Sequence, residues 1–257
     1  MNDKVSVIMP CYNSAKHVDS SIKSILEQTY ENFELIITDD SSTDSTYEKL
    51  QEYEKKDSRV IIKKNIHEKG ASGARRTSFQ HASGRFIAFL DSDDLWHPKK
   101  LEKQIDFIKN NDLSFTYTYY MTINSSKFYK VPKKITQSNL YFSNFIPCLT
   151  VLYDRTKFTD IDFPIIKKRN DYAMWIYLFS NNSIEAHCLK ECLAYYRDGN
   201  NGLSSNSFSN IYYAYRNIRS FGKKSFLVAL LMTISHIIFA IIKKSSNWLY
   251  NKIMYII

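Results

Sequence analysis

The spacing of apolar positions changes repeatedly along the first hundred residues of this chain. Val5 to Met9 form a short β-branched run that stops at Pro10, and Val18, Ile22, Ile25 and Leu26 then fall at helical spacing. Phe33 to Thr38 form a second run. It ends in the turn and capping cluster DDSSTDST, before the helix-like stretch YEKLQEYEKK. VIIKK from Val60 and FIAFL from Phe86 predict two more buried strands, with a helical stretch around Arg75 to Ala82 between them. Strand and helix alternating at this interval predict an α/β fold, its sheet mostly parallel and covered on both faces.

In such sheets ligands bind beyond the carboxyl ends of the strands. Polar residues gather there: Tyr12 and Asn13 after the first strand, Asp39 and Asp40 after the second, and Asp91, Asp93 and Asp94 after the fourth. Carboxylates crowded at the end of a buried strand repel one another, so they need cations or solvent beside them. A hard divalent cation removes the conflict, because Mg²⁺ typically takes one or two carboxylates and completes its shell with phosphate oxygens. That gives Asp91 and Asp93 a metal or nucleotide role. Asp94, close before Pro98, is equally suited to capping a helix start.

Further along, SFTYTYYMTI (residues 114–123) alternates as a half-buried strand should. Its aromatic residues are read as packing before they are read as a sugar-stacking cleft. The tail differs in kind. Phe226 to Ile242 is strongly apolar, with Lys pairs at both ends. Its small or polar residues, Ser225, Ala229, Thr233, His236, Ala240 and Lys243, recur every three or four positions as one narrow helical stripe. The stretch is at the short end of what can span a bilayer, and the stripe with its His argues against a lone span surrounded by lipid. Trp248, Tyr250 and Lys252 suit a membrane interface. An anchor lying in the membrane plane is therefore expected, ahead of a helix buried in a dimer or against the rest of the chain, and ahead of a true span.

Composition narrows the class without naming it. With 257 residues, 44% hydrophobic and 24% charged, the chain is globular and not disordered. A net charge of +9 fits nucleic acid, an anionic membrane or a phosphorylated substrate, and richness in Lys, Asn, Ile and Tyr can produce it with no partner. The four cysteines are scattered, with no CxxC pair, and MNDKVSV is no secretory signal, so a reducing cytoplasm is expected. His187, Cys188 and Cys192 lack a fourth ligand at zinc spacing and read as packed side chains.

Five segments in order, VSVIMPCYN, FELIITDDSSTDST, GASGARRTSFQHASGRFIAFLDSDDLWHPKKLEKQ, RNDYAMW and YYRDGNNGLSS, resemble glycosyltransferase family 2 on a GT-A nucleotide-sugar fold. They span about residues 3 to 205. The resemblance implies an inverting transfer of a sugar from a nucleotide diphosphate donor, most often UDP-linked, to a hydroxyl of a glycan acceptor. That acceptor is expected to be lipid-linked, in cell-surface polysaccharide assembly. A divalent metal, Mn²⁺ or Mg²⁺, is implied with it. Tyr12 matches the aromatic that packs on the base, with Pro10 and Asn13 beside it in the donor site, and Asp40 matches the carboxylate that reads the base edge. Asp91 and Asp93 match the DXD motif, with Asp93 the main metal contact. Arg75 matches the Arg of the family's ARN, and Asp171 the second acid of its ED, the general base.

The residue types suit that chemistry. A departing diphosphate needs its charge stabilised, which a divalent cation and an Arg supply. A sugar hydroxyl becomes a competent nucleophile when a carboxylate takes its proton. Each position has a plainer alternative: packing for Tyr12, helix capping for Asp40 and Asp171, a solvated basic face for Arg75 and Arg76. The chain also departs from the family pattern. Ser41 stands for Gly in DDGSTD, Asn170 for the first acid of ED and Arg76 for Asn, and the His often found after YR is absent. Arg197 and Ser204 are kept as diphosphate neighbours only.

The expected organisation is a catalytic domain over residues 1–205, split into a nucleotide-sugar half (1–110) and an acceptor half (111–205). A helical, membrane-associating region follows (206–257). The protein is expected on the inner face of the cell membrane, peripheral, with no nucleic acid partner and with dimerisation left open. A sugar nucleotidyltransferase would need a Gly-rich loop where this chain has PCYNSAKHV. A non-catalytic binding module would have no reason to keep Asp40, Asp93 and Asp171 together.

Overall fold

The computed structural model describes residues 3–159, 161–182, 184–199 and 207–256. Four parallel strands form one half of its sheet: β1 (Val5–Cys11), β2 (Phe33–Asp39), β3 (Val60–Lys64) and β4 (Phe86–Phe89), in the spatial order β3-β2-β1-β4. Helices α1 (Val18–Leu26), α2 (Thr46–Lys56) and α3 (Ala71–His81) connect them. β1, β2 and β4 are buried on both faces, as their mostly apolar runs require, and the buried Ser6 of β1 donates to Glu34 of β2 (2.6 Å).

β1 does not stop at Pro10 but continues to Cys11, pairing Pro10 with Thr38 of β2. The ring is tolerated because Ile8 still serves β4 through the Leu90 amide (3.1 Å), and two residues further, on the same side, β4 has ended. No partner there requires the amide that proline lacks.

The second half begins with β5 (Leu95–Trp96), α4 (Lys100–Asn110), β6 (Phe115–Thr122), β7 (Phe128–Tyr129), β8 (Lys134–Ile135) and α5 (Gln137–Leu140). β9 (Leu152–Asp154), α6 (Asn170–Asn181) and β10 (Ala186–Tyr196) complete it. The sheet continues from β4 as β9-β6-β10-β5, with β9 antiparallel to both its neighbours and β10 parallel to β6. β6 was expected to be half-buried, yet seven of its eight residues are buried. It lies inside the sheet, between β9 and β10, so its Thr residues face other layers of protein. Gln104 Nε2 donates to Thr116 Oγ1 (3.1 Å), and Thr116 Oγ1 donates to Leu152 O (3.1 Å). Trp175 of α6 seals the core against Phe89 and Phe115, its ring edge-on to both, and donates Nε1–H to Ile146 O (3.1 Å).

Three helices end the chain: α7 (Ser207–Ser220), α8 (Phe226–Ser245) and α9 (Asn247–Ile256). α8 lies along the domain with Ala229, Thr233 and His236 buried, the centre of the stripe read in the sequence. Its other faces leave Leu227, Leu231, Ile238 and Ile241 exposed. α9 is tied to the β6–β7 hairpin by Asn247 and Asn251, which both donate to Phe128 O (3.0 and 2.8 Å). Between the two helices Lys243 rests over the rings of Tyr120, Tyr129 and Tyr250.

Candidate active site

β1, β2 and β4 end side by side, and hydrogen bonds tie the loops beyond them into one rim. Asn13, in left-handed backbone (φ 46), donates its N–H to Ser42 Oγ (3.0 Å) and accepts from the Thr43 N–H (2.8 Å). Ser14 and Ser92 share a hydrogen bond of 2.7 Å, joining the β1 loop to the carboxylate cluster. Pro10 is buried in β1 just beneath. Tyr12 is 45% exposed, with the Lys69 ammonium 4.6 Å from its ring centre, so the plain packing alternative fails for it.

Asp40 does not cap α2. It is buried, and its two oxygens accept from Asn65 Nδ2 (2.5 Å) and from the backbone N–H of Gly70 (2.7 Å), the residue that starts α3. The carboxylate thus holds the 65–70 segment against the end of β2, close to Tyr12 through Lys69. Ser41, at the family's glycine position, has φ 64, a conformation that glycine adopts more readily.

Arg75 is not a surface cation. Its buried guanidinium pairs with Asp91 through Nη2 and donates from Nη1 to Asn170 Oδ1 (2.6 Å). Burial opposes its charge, but Asp91 and Asp171 more than offset that and hold it protonated. Its neighbour Arg76 turns away and pairs with Asp162. The Asp93 carboxylate makes no hydrogen bond or ion pair to another described residue, and burial, with Asp91 close by, pushes its pKa up. Asp94 does not cap α4, whose first turn lacks a side-chain cap. It is 2% exposed and accepts from the Arg197 N–H (2.7 Å), while Arg197 Nε donates to Asp93 O (2.8 Å). Burial and its two acidic neighbours raise its pKa well above the usual carboxylate range. Ser204 lies outside the described residues.

Asp171 is in the first turn of α6, after Arg169, and caps nothing. Its Oδ2 accepts from Asn144 Nδ2 (3.0 Å), and the adjacent Asn170 is the residue that Arg75 holds. One guanidinium therefore joins the DXD segment to the helix that carries the acid. Sequence reading missed Asn144 and the part played by Asn170. Asn144 sits in a stretch with no periodic signal, whereas the substituted ED motif did point at Asn170.

The carboxylates fit a divalent cation in a limited sense. Asp93 is unpaired and its negative charge is disfavoured, the condition a bound cation relieves. Among the described residues no three His, Cys, Asp or Glu side chains cluster as metal ligands. Asp93 and Asp91 would hold such an ion only with diphosphate oxygens and water completing its shell.

A half-parallel α/β sheet with carboxylates and a buried arginine at its strand ends, and an acid across from them, defines a transferase of the nucleotide-sugar type. The chain belongs to glycosyltransferase family 2: the model described as Glycosyl transferase family 2 matches residues 6–169, ending two residues before Asp171. It is similar to the UDP-Glc:alpha-D-GlcNAc-diphosphoundecaprenol beta-1,3-glucosyltransferase WfgD of Escherichia coli, 42% identical over 80% of this chain and 82% of that protein. A putative teichuronic acid biosynthesis glycosyltransferase, TuaG of Bacillus subtilis, is 38% identical over 83% of this chain and 88% of its own length. Among solved structures, S. aureus TarS 1-349 in complex with UDP-GlcNAc aligns with a TM-score of 0.67 at 22% identity, over 90% of this chain and 70% of that one. Against the longer TarS chain the coverage is 42%. The mannosyltransferase PcManGT of Pyrobaculum calidifontis, in complex with GDP-Man and Mn²⁺, gives a TM-score of 0.66 at 15% identity, covering 97% and 78%. At such identities the structures establish the GT-A fold and no more.

Proposed function

We propose that this glycosyltransferase moves a sugar from a UDP-sugar to a hydroxyl of a lipid-linked glycan acceptor, with inversion, in cell-surface polysaccharide assembly. The observation that carries the reading is the Arg75 bridge. Arg75 pairs with Asp91, two residues from Asp93, and donates to Asn170, the neighbour of Asp171, which supports a donor side and an acceptor side meeting at one cation. The name of the relative WfgD supplies the donor and acceptor classes.

In the proposed reaction the acceptor hydroxyl oxygen attacks the anomeric carbon. The bond from that carbon to the diphosphate breaks, the nucleoside diphosphate leaves with the electron pair, and Asp171 takes the hydroxyl proton. Tyr12 stacks on the base and Asp40, with Asn65, borders its edge, with Pro10 and Asn13 shaping the same pocket. Arg75 faces the diphosphate. A Mn²⁺ or Mg²⁺ ion held by Asp93 and Asp91 would neutralise charge on the leaving group. Residues 1–205 carry this chemistry. The 206–257 helices place it on the cytoplasmic face of the membrane, because α8 buries one stripe on the domain and turns an apolar face outward, with Lys223, Lys244 and Lys252 exposed around it.

Calorimetric titration with UDP, GDP and CDP, in Mn²⁺ and then in chelator, tests the donor site. UDP is expected to bind, and to bind only with the cation; binding by no diphosphate would overturn the reading. Asp171→Asn is expected to keep UDP affinity and to lose about 10²- to 10⁴-fold in transfer, the range for removing a general base. The assay uses UDP-glucose and GlcNAc-diphosphoundecaprenol, and retained transfer removes Asp171 from its role.

A further inference from the structure

The helix that turns its apolar face outward makes its most buried polar contacts with the segment that carries the base. His236, on the inward stripe of α8, is 4% exposed. Tyr172 donates its hydroxyl proton to Leu140 O (3.0 Å), so toward His236 Nε2 (2.9 Å) it can only accept. That assigns the proton of the ring to Nε2 and leaves Nδ1 to accept from Arg169 Nη1 (3.2 Å). Burial, with the Arg169 cation beside it, pushes the imidazole pKa down to about 3, so the ring is neutral at any working pH. The chain of donors then runs one way, Arg169 to His236 to Tyr172 to Leu140.

Arg169 is the residue from which α6 starts. Its backbone is left-handed (φ 52, ψ 40), a conformation that costs a non-glycine residue about 1–2 kcal/mol and persists only when its surroundings enforce it. Two bonds do so here: its side chain to His236, and its carbonyl, which accepts from Asn217 Nδ2 of α7 (3.0 Å). Asp171 follows two residues later. On the other side Phe239 packs edge-on against Phe145 at 5.0 Å, and Ser235 Oγ lies 2.6 Å from Phe142 O and equally close to Met232 O of its own helix, sharing one proton between them. Asn144, the donor to Asp171, sits between those two anchors. One turn of α8 thus grips both the backbone that carries the acid and the side chain that holds it.

We infer that His236 is a positioning residue for Asp171, acting through Arg169 and Tyr172, so that α8 forms a wall of the acceptor site. This rests on Asp171 being the base. A histidine that merely fills the core would affect stability alone.

The test compares His236→Ala, His236→Gln and Thr233→Val in the full chain. It records Tm, UDP affinity in Mn²⁺, and kcat and KM for transfer to GlcNAc-diphosphoundecaprenol. Gln can offer an amide donor to Tyr172 and a carbonyl acceptor to Arg169. Thr233 shares the buried stripe but bonds only to Ala229 O of its own helix (2.7 Å), so Thr233→Val tests packing by itself. His236→Ala is expected to lower kcat by about 10- to 100-fold, the scale of a small misplacement of a reacting group, with UDP affinity unchanged. His236→Gln is expected to recover most of that loss, and Thr233→Val to leave kcat alone. Wild-type kcat in His236→Ala overturns the inference, as does a kcat loss matched by lost UDP binding or not relieved by Gln. Should His236→Ala not fold, Tyr172→Phe keeps the ring, removes the hydroxyl that joins His236 to Leu140 O, and carries the same expectation. Absence of transfer by the wild-type protein would instead defeat the functional reading on which this one rests.

Discussion

Ser41 illustrates what single positions reveal and conceal. The sequence shows that Ser stands where the family has Gly, but only the backbone shows the consequence, a left-handed residue at φ 64 on an exposed turn. Ser pays a steric penalty of about 1–2 kcal/mol there, partly offset by the greater freedom glycine has in the unfolded chain, about 0.4–1 kcal/mol. Ser41→Gly is therefore expected to raise Tm by about 1–3 °C in a chain of this size, without changing UDP affinity. A drop in Tm would show that the hydroxyl stabilises the turn. The contacts of Asn144 and Asn170 were illegible for a different reason, although the substituted ED motif pointed at Asn170. Arg75 meets Asn170 across 95 residues of chain, and no local pattern reports a contact of that separation. Asp94 was left open for the opposite reason. Its local context suits a cap as well as a site role, and the amide of distant Arg197 takes it instead of the helix.

At the scale of elements, legibility followed periodicity. β1 to β4 and α1 to α3 could be placed because long apolar runs alternate with amphipathic helices; the stop at Pro10 was wrong, and α3 begins at Ala71, a turn before the expected Arg75. Between residues 123 and 150 the elements are two-residue strands, a four-residue helix and a three-residue 3₁₀ turn (Cys148–Thr150), too short to carry any period. β6 was misread because its Thr residues look solvent-facing, while other layers of protein cover them. α3 shows an element under close constraint. A Cβ on Gly73 would lie 2.1 Å from the backbone oxygen of Glu68, which cannot swing aside as a side chain would. Gly73→Ala is expected to destabilise the fold by about 1–3 kcal/mol, measured by denaturant unfolding. It is also expected to weaken UDP binding, because the displaced 65–70 segment carries both partners of Asp40. Unchanged affinity would separate that segment from the donor site.

At the scale of the whole molecule, the domain that carries the sheet also carries an outward apolar face, on α8. α8 is long and apolar enough to cross a bilayer, but its buried Ala229, Thr233 and His236 hold it against the domain. With exposed Lys around that face, the protein is expected to sediment with vesicles containing anionic phosphatidylglycerol. Binding should weaken in high salt and on pure phosphatidylcholine. Leu227→Asp with Leu231→Asp is expected to abolish it while UDP affinity survives; persistent binding would move the contact elsewhere on the surface. The grip of His236 and Ser235 on the acceptor side has a consequence for lineage. A tail borrowed from another family member would arrive without the matching donors, so the terminal helices and the loops they clasp are expected to be inherited together and not exchanged by recombination.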